Sequence, residues 1–394
     1  MKIITTSALK YAVAGGLFFV ASAPALAALE AIDDEALSAV TGQSLFVGDF
    51  IAGNSSDPNG GRFDFHRMGL DVELALNANI DKLQLGCGGF NESITANACD
   101  IDMDYVRLMG LNANGDGGHP DGPASDFILK RPYIELAVSG TGITNREVVG
   151  IKVGSESANG YFGVGRTYAN GQTNQEFGGT CNTASGSDNT GGRLNCHTGL
   201  NRISGYLNTE LSGKFPLDIA GIGSGWGCFG LMTGPSAQPQ CSASDTEGVW
   251  GGHTGPLLVE IIGTRVTEMR ESIELDLDAN LLGFITLDHA YSNVIQNLRF
   301  LHGFALDDTS DFFLSFQREK VAYPTYQKDG YAYPANAGWW MNVPYVGVRN
   351  FVGDEVKLGL FEALDALGED GVDVENSDLG SLPPNNCYGS YGFC

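Results

Sequence analysis

The chain has 394 residues, of which 22 are Lys or Arg and 47 are Asp or Glu, so its formal net charge at pH 7 is −25. A surface this acidic repels phosphate backbones, so nucleic acid is excluded as an expected partner. The 55 glycines have no three-residue period, and glycine dispersed between short apolar runs is typical of turns between strands, not of collagen.

The first element is a basic and then apolar leader. Lys2 and Lys10 precede or flank the apolar run Tyr11–Val20, and small residues surround a cut after Ala27. This pattern predicts a secretory signal peptide over residues 1–27, with a retained membrane anchor as the alternative. The chain is therefore predicted to be exported to the cell surface or the extracellular medium, with the periplasm as the alternative. No later run reaches about 18 apolar residues, so no transmembrane span is expected.

Residues 28–45 have the pattern of a short amphipathic helix. Asp33 or Asp34 can cap its amino end, and Gly42 can end it. Its apolar positions share one face: Ile32, Ala36, Leu37 and Val40.

The body, residues 46–370, is patterned as strands. Apolar residues alternate with polar ones from Leu70 to Ile80, which predicts a strand with one wet face. Leu83 and Leu85 continue in the opposite phase, which predicts a bulge or bend near Asp81 and Lys82. The same alternation returns at Tyr133–Val138, Glu147–Val153 and Ile273–Ala279, whereas Phe361–Leu367 has the pattern of a short acidic helix.

These patterns predict an all-β protein with a two-layer, sandwich-like core, and a β-solenoid is the alternative. An internal echo suggests a duplicated β unit. Three segments recur in the same order: Val72–Asn79 in Ile273–Asn280, Val106–Met109 in Leu298–Leu301, and Ser125–Leu129 in Ser310–Leu314. Coincidence among strand-like peptides is the other explanation.

The eight cysteines form four couples of sequence neighbours. An even count in an exported chain predicts disulfides, although sequence alone does not fix their pairing. We expect neighbours to pair because each couple brackets a loop rich in Gly, Asn or Ser, and such loops need a crosslink to be ordered. The predicted pairs are Cys87–Cys99, Cys181–Cys196, Cys228–Cys241 and Cys387–Cys394. The last pair closes an acidic and then Pro-rich tail, residues 371–394.

One segment has half of the pattern of a calcium loop. Asn112, Asn114 and Asp116 alternate before Gly117, and alternate oxygen side chains followed by glycine suit a hard cation. The closing Glu is missing, and Asp121 or Asp126 can substitute for it. A turn joining two strands is the alternative interpretation, and no other cofactor is expected.

From the sequence we predict that the protein is not an enzyme. It contains no HExxH pair, GxSxG elbow or phosphate-binding loop. The paired acids Asp307 and Asp308, and Asp276 and Asp278, have the chemistry of a polysaccharide hydrolase. Such pairs are also common on the wet strand faces of an acidic protein, so hydrolysis is the least favoured function.

Aromatic residues cluster late in the chain: Tyr323, Tyr326, Tyr331, Tyr333, Trp339, Trp340 and Tyr345. Flat rings can stack on sugars, which makes a carbohydrate-binding adhesin, with or without calcium, the main alternative function. Core or subunit packing is the commoner use of such residues.

Three segments resemble a pilus-system (Fil-type) family of exported proteins from Gram-negative gammaproteobacteria. They are Leu29-Glu-Ala-Ile-Asp-Asp-Glu-Ala-Leu-Ser-Ala-Val-Thr-Gly-Gln43, Leu129-Lys-Arg-Pro-Tyr-Ile-Glu-Leu-Ala-Val138 and Asn386-Cys-Tyr-Gly-Ser-Tyr-Gly-Phe-Cys394. The resemblance covers about a tenth of the chain and carries no catalytic residues. It implies a structural or assembly role at the cell surface, with other pilus or cell-surface proteins, or further copies of this chain, as partners.

Overall fold

The structure is a computed structural model. It describes residues 45–92, 98–111, 126–140, 144–168, 172–174, 179–180, 197–219, 223–229, 257–281, 285–352, 356–359, 361, 372–375 and 383–386. The predicted signal peptide and nearly all of the predicted N-terminal helix lie outside the described residues, as does the predicted helix Phe361–Leu367 apart from its first residue.

The described part of the chain contains strands and one 3-10 turn, Leu298–Phe300. The strands are β1 (Phe46–Ile51), β2 (Phe63–Leu70), β3 (Glu73–Leu76), β4 (Ala78–Leu85), β5 (Ile101–Met109), β6 (Phe127–Ser139), β7 (Glu147–Gly163), β8 (Arg166–Thr167), β9 (Thr173–Asn174), β10 (Gly179–Thr180), β11 (His197–Thr198), β12 (Leu200–Ile219), β13 (Gly223–Phe229), β14 (Leu257–Val266), β15 (Glu268–Leu281), β16 (Ile285–Asn297), β17 (Gly303–Ser310), β18 (Phe313–Gln317), β19 (Gly338–Val352), β20 (Val356–Leu358) and β21 (Val372–Glu375).

The all-β prediction is confirmed. Seventeen of the described strands belong to one hydrogen-bonded sheet, and β8 with β11 and β9 with β10 form two small ribbons. Most pairs in the large sheet are antiparallel, which does not fit the stacked parallel strands of the alternative β-solenoid. The parallel pairs are β12 with β19, β12 with β20, and β16 with β21.

Two long strands organise the sheet. β7 pairs with β6 and then β5 along one edge, and with β18 and then β17 along the other. β12 pairs with β14 and β13 on one side and with β19 on the other. Through these pairings β1, β2, β6, β7, β18 and β19 lie next to one another in that order.

The apolar residues form two cores. The larger includes Ile101, Phe162, Leu207, Phe304 and Val343. The smaller includes Phe63, Phe65, Phe313, Tyr323 and Trp340. The smaller core is completed by the connection between β18 and β19, residues 318–337, which we call the cover segment.

The predicted strand Leu70–Ile80 is two strands with different partners. β3 pairs with β6 whereas β4 pairs with β5, and the chain changes partner at Asn77. Asn386 explains this position, because its side-chain amide donates to Asn77 Oδ1 and to Asn79 Oδ1, each at 2.9 Å. The β4–β5 register has no shift at Asp81 and Lys82, so no bulge is present there. The ladder does omit the pair of Asp81 with Tyr105, and Tyr105 has a φ of 47°, so the backbone irregularity lies on β5 opposite Asp81.

The other three predicted strands are confirmed as parts of β6, β7 and β15. The duplication stays a prediction. In the second of the three repeated segments, Val106–Met109 belongs to a strand, whereas Leu298–Leu301 contains the 3-10 turn. These two similar sequences therefore have different local structures.

The disulfide Cys87–Cys99 is present and closes the connection between β4 and β5. Backbone bonding continues the hairpin beyond the strands, since Asp100 N donates to Leu85 O at 2.8 Å. Each of the other three predicted pairs has at least one cysteine outside the described residues, so these pairs stay predictions.

Candidate functional site

A row of charged side chains crosses the sheet on the side of the smaller core. The strand register places Arg67 of β2 opposite Glu135 of β6, and Glu135 opposite Lys152 of β7. Arg67 Nε donates to Glu135 Oε2 at 2.7 Å, and Lys152 Nζ donates to Glu135 Oε1 at 3.2 Å. All three side chains are buried. One carboxylate therefore pairs with two cations in an interior where an unpaired charge is costly.

The two cations also hold the cover segment. The Arg67 guanidinium donates to the carbonyls of Tyr326 and Thr325 at 2.8 and 3.0 Å. Lys152 Nζ donates to the carbonyl of Pro324 at 2.8 Å. The row thus supplies hydrogen bonds to backbone carbonyls that burial removes from water.

Aromatic rings enclose the same cations. The Arg67 guanidinium lies 4.6 Å from the ring centre of Tyr133 and 5.2 Å from that of Tyr326. Lys152 Nζ lies 4.8 Å from the ring centre of Phe313. Burial lowers the pKa of Lys152 to about 8, and the Glu135 carboxylate opposes this shift. These contacts stabilise positive charge from several directions, so the row is suited to holding the cover segment in place.

Two glycines make room for the row. Gly150, Lys152 and Gly154 point to the same side of β7, since side chains alternate along a strand. A Cβ at Gly150 would collide with the hydroxyl of Tyr323, and one at Gly154 would lie 2.7 Å from Phe313 Cβ. Larger side chains at either position would push the cover segment away.

The opposite side of these strands is apolar and exposed. We define the outer face by its six exposed apolar side chains: Phe50, Met68, Ile134, Ile151, Val153 and Phe316. The register aligns Met68, Ile134 and Val153 in one row across β2, β6 and β7. Met68 is 61% exposed and Val153 54%. With neighbouring strands about 4.8 Å apart, the outer face is roughly 20 Å wide across β1, β2, β6, β7 and β18.

Ion pairs lie near both ends of these strands. Arg131 contacts Asp71 at 2.8 Å and Glu156 at 2.7 Å. At the other end of the strands Arg318 contacts Glu147 at 2.6 Å. An exposed apolar patch of the kind formed by the outer face is typical of an interaction surface.

The outer face is continuous with the larger core. Phe316 contacts the Trp339 ring, with 5.4 Å between ring centres, and Trp339 packs against that core. The apolar side of the sheet is therefore covered near β19 and uncovered near β1 and β2.

A cleft of about 490 Å³ opens beside the cover segment. The rings of Tyr206 and Tyr333 line it and stack with 5.2 Å between their centres and 5° between their planes. Tyr333 lies parallel to the buried Trp340 at 6.4 Å, and Tyr331 also lines the cleft. A cleft of this volume with aromatic walls can hold a small ligand.

The polar groups of the cleft come from four strands, from the turn between β17 and β18, and from the cover segment. Tyr206 Oη donates to Glu260 Oε1 at 3.0 Å, and burial raises the pKa of Tyr206 to about 12. Tyr326 N donates to Asp311 Oδ1 at 2.6 Å. Asn342 is buried, and its amide nitrogen donates to the Asp311 carbonyl at 2.9 Å. Asn342 Oδ1 has no hydrogen-bond partner within the described part of the chain.

A second buried acid, Asp104, is held by hydrogen bonds and an ion pair that have a structural role. Asp104 Oδ2 accepts from Thr198 Oγ1 at 2.6 Å and from Asn201 Nδ2 at 2.7 Å, and Lys82 pairs with the same carboxylate. These bonds tie β5 to β4, β11 and β12. Over the described ranges, no group of three or more His, Cys, Asp or Glu side chains is placed to hold a metal ion.

The structure separates the late aromatic residues. Tyr331 and Tyr333 line the cleft, whereas Tyr323 and Trp340 are in the smaller core and Trp339 packs against the larger one. Packing therefore accounts for Tyr323, Trp339 and Trp340, whereas sugar stacking by Tyr331 and Tyr333 stays a prediction.

The other predicted site residues are placed as follows. The predicted calcium ligands Asn112, Asn114, Asp116 and Asp121 lie outside the described residues, so this site stays a prediction. Asp307 and Asp308 are exposed on β17, and Asp308 pairs with Lys130 at 2.7 Å. Asp276 and Asp278 both belong to β15.

The charged row was missed by sequence reasoning. A local signal was present in Gly150-Ile-Lys-Val-Gly154, where a lysine flanked by glycines shares one side of an otherwise apolar strand. The partners Arg67 and Glu135 are far away in sequence, so their meeting depends on the strand order. The pairing itself could not be found from local pattern.

Among the described residues, none of the helical segments has the length and apolar character needed to cross a membrane. Comparisons of the chain with protein-family models, with curated proteins and with solved structures give no match.

Proposed function

We propose that this chain is an exported structural or assembly protein of the cell surface, and that its outer face packs against a second copy of the chain. The observation that carries this proposal is the uncovered apolar side of β1, β2, β6, β7 and β18. Burying a large apolar side chain contributes roughly 1.5–3 kcal/mol, so covering six of them gives association a substantial driving force.

Charge favours a second copy as the partner. The chain carries a net charge of −25, so most orientations of two copies bring like charges together. The six side chains that define the outer face carry no charge, and Asp64, on the same side of β2, accepts a hydrogen bond from Gly53 N at 3.0 Å. Two copies related by a two-fold axis can therefore meet there, each presenting the same patch to the other, with mainly apolar side chains in contact.

Three further features support the surface role. The leader has the pattern of a secretory signal, and the three quoted segments resemble exported pilus-system proteins. The disulfide Cys87–Cys99 suits an oxidising compartment outside the cytoplasm.

Sedimentation of the mature chain tests the self-association. We expect a concentration-dependent dimer or larger assembly for the wild type, and loss of affinity by about tenfold or more in the double variant Ile134→Lys, Val153→Lys. Lysine makes the chain less acidic, so general repulsion cannot explain a weaker assembly. Phe90→Lys is the matched control, because Phe90 is an exposed apolar residue in the connection between β4 and β5.

Two outcomes would overturn the proposal. One is a wild type that stays monomeric at the highest accessible concentration while floating with neutral lipid vesicles, which would identify lipid as the occupant of the outer face. The other is recovery of the native protein only as a periplasmic monomer, with surface filaments unchanged in a deletion strain.

A further inference from the structure

We propose that the cleft between Tyr206, Tyr333 and Asp311 binds an organic cation, namely a primary ammonium group carried on an aliphatic chain. This site lies on the side of the sheet opposite the outer face, and the proposal does not depend on self-association. It rests on the hydrogen-bonding inventory, the charge balance and the walls of the cleft.

In the described part of the chain, the cleft contains a buried acceptor without a donor and two acids that each keep an unused acceptor. Asn342 Oδ1 is buried without a donor from any described residue. Asp311 uses Oδ1 to accept from Tyr326 N, and Glu260 uses Oε1 to accept from Tyr206, which leaves a second carboxylate oxygen on each acid. An ammonium group offers three donors and no acceptor, so it complements this set.

Two of the hydroxyl donors of the cleft are already committed. Tyr206 Oη donates to Glu260, and Thr325 Oγ1 donates to Asp329 at 2.7 Å. Ser310, Tyr331 and Tyr333 also line the cleft with hydroxyls that can bond a sugar. The preference for a cation therefore rests on the two carboxylates and on Asn342 Oδ1, which only accept hydrogen bonds.

The charges around the cleft leave an excess of negative charge. In the buried charged row beside the cleft, the positive charges of Arg67 and Lys152 balance the negative charges of Glu135 and Asp311. Glu260 has no cationic partner among the ion pairs of the described residues, and it lines the cleft. Burial raises the pKa of Asp311 above its ordinary value, so its ionised form also gains from an added positive charge. A bound cation would offset this excess.

The walls of the cleft suit an aliphatic stem ending in a positive charge. Tyr206, Tyr331 and Tyr333 present aromatic surface, and Pro334 and Pro344 add apolar surface. Aromatic rings attract ammonium groups while alkyl chains pack against them. The volume of about 490 Å³ accommodates a chain of the length of a lysine side chain.

Two sources share this chemistry: a lysine side chain of a partner polypeptide and a free diamine. Calorimetric titration of the folded wild-type chain with Nα-acetyl-lysine amide and with cadaverine separates them. Binding of both probes supports a lysine-bearing partner, whereas binding of cadaverine alone supports a free diamine. The uncharged analogue Nα-acetyl-norleucine amide should bind at least about tenfold more weakly than the lysine probe.

Isosteric variants assign the binding to the cleft. Glu260→Gln and Asp311→Asn each remove a charge with little change of shape, and each should weaken binding about tenfold or more. Glu319→Gln is the control, because Glu319 pairs with the exposed Arg62 away from the cleft lining. It should leave the affinity unchanged, which excludes general attraction to an acidic protein.

The proposal would be overturned by no binding of either cation up to about 10 mM, by equal binding in Glu260→Gln, or by preferential binding of a neutral trisaccharide. Circular dichroism of each variant verifies that it folds. The outer-face double variant Ile134→Lys, Val153→Lys should bind both cations as the wild type does, so failure of self-association and failure of the cleft are separate results.

Discussion

At the scale of single residues, Glu135 determines whether two buried cations are tolerated. It is the carboxylate shared by Arg67 and Lys152, and all three side chains lie in the protein interior. Ion pairs at the surface contribute little because water screens them, but a buried charge that loses its partner has nothing to replace it. The same chemical change should therefore have very different effects in the row and at the surface.

Glu135→Gln should lower the free energy of unfolding by roughly 3–5 kcal/mol at pH 7, since it leaves two buried cations without a counter-charge. Urea unfolding followed by circular dichroism measures this change. Glu319→Gln removes a carboxylate from the exposed pair with Arg62 and should change stability by no more than about 0.5 kcal/mol. Equal effects of the two substitutions would contradict the role assigned to Glu135.

The lowered pKa of Lys152 predicts a stability that rises with alkaline pH. Lys152 loses its proton near pH 8 in the folded chain, against the ordinary 10.5 in the unfolded chain. Between these values the unfolded chain binds more protons, so folding becomes more favourable as pH increases. The wild type should gain about 2–3 kcal/mol on Lys152→Met between about pH 7 and pH 10.

Comparing the two chains at each pH removes the effect of other groups. Burial raises the pKa of Tyr133 and Tyr323, which destabilises the folded wild type above about pH 10 but affects the variant similarly. A stability difference that stays constant across this pH range would show that Lys152 does not titrate as described.

At the scale of elements, β7 carries two unlike sides. Gly150, Lys152 and Gly154 face the cover segment, while Ile151 and Val153 belong to the outer face. The two glycines leave room for the rings of Tyr323 and Phe313, and the branched residues supply part of the outer face. β7 therefore contributes both to the buried row of charged side chains and to the outer face.

Gly154→Ala should destabilise the chain by about 1–3 kcal/mol. Its new Cβ would lie 2.7 Å from Phe313 Cβ and 2.9 Å from the Phe312 carbonyl, and neither atom belongs to the mobile end of a side chain. Gly48→Ala on β1 is the matched control, since a Cβ there meets nothing within 4 Å. Thermal unfolding of both variants checks the prediction, and a neutral Gly154→Ala would mean that Phe313 can move.

At the scale of the whole molecule, net charge and the outer face act against each other. A charge of −25 keeps copies apart over a distance set by ionic strength, while apolar contact acts only at close range. Association through the outer face should therefore depend on salt in a direction opposite to that of ionic contacts.

Raising sodium chloride from about 20 mM to about 300 mM should strengthen self-association several-fold, because salt screens the repulsion between acidic copies. Sedimentation equilibrium of the wild type measures this effect. Ile134→Lys, Val153→Lys should remain weakly associated at both salt concentrations. Assembly that weakens as salt increases would indicate a contact made by charged groups and contradict the apolar one.

The sequence was sufficient to predict strands but not their neighbours. Alternation identified segments of β6, β7 and β15, because each strand buries one of its two sides. The division at Asn77 was missed because it depends on Asn386, which lies 309 residues away. The outer face was missed for a related reason. The exposed side of β6 and β7 is as apolar in sequence as a buried side would be, so the sequence does not show which side of these strands is covered.

The candidate cleft was only partly predictable. The cluster of aromatic residues late in the sequence included Tyr331 and Tyr333. The other cleft residues, Tyr206, Glu260 and Asp311, come from distant parts of the chain and meet them only through the pairing of the strands. Pairing across long sequence distances leaves no local pattern, so spacing alone could not have brought these residues together.

The parallel pairing of β12 with β19 has a consequence for how the chain reaches this structure. Gly205 is hydrogen-bond neighbour to the strand segment at Met341, so one edge of β12 must wait for a much later part of the polypeptide. Closing so long a loop is slow, and an open strand edge is a template for pairing with other chains. We expect the newly synthesised chain to require protection from aggregation with other copies until β19 has paired with β12.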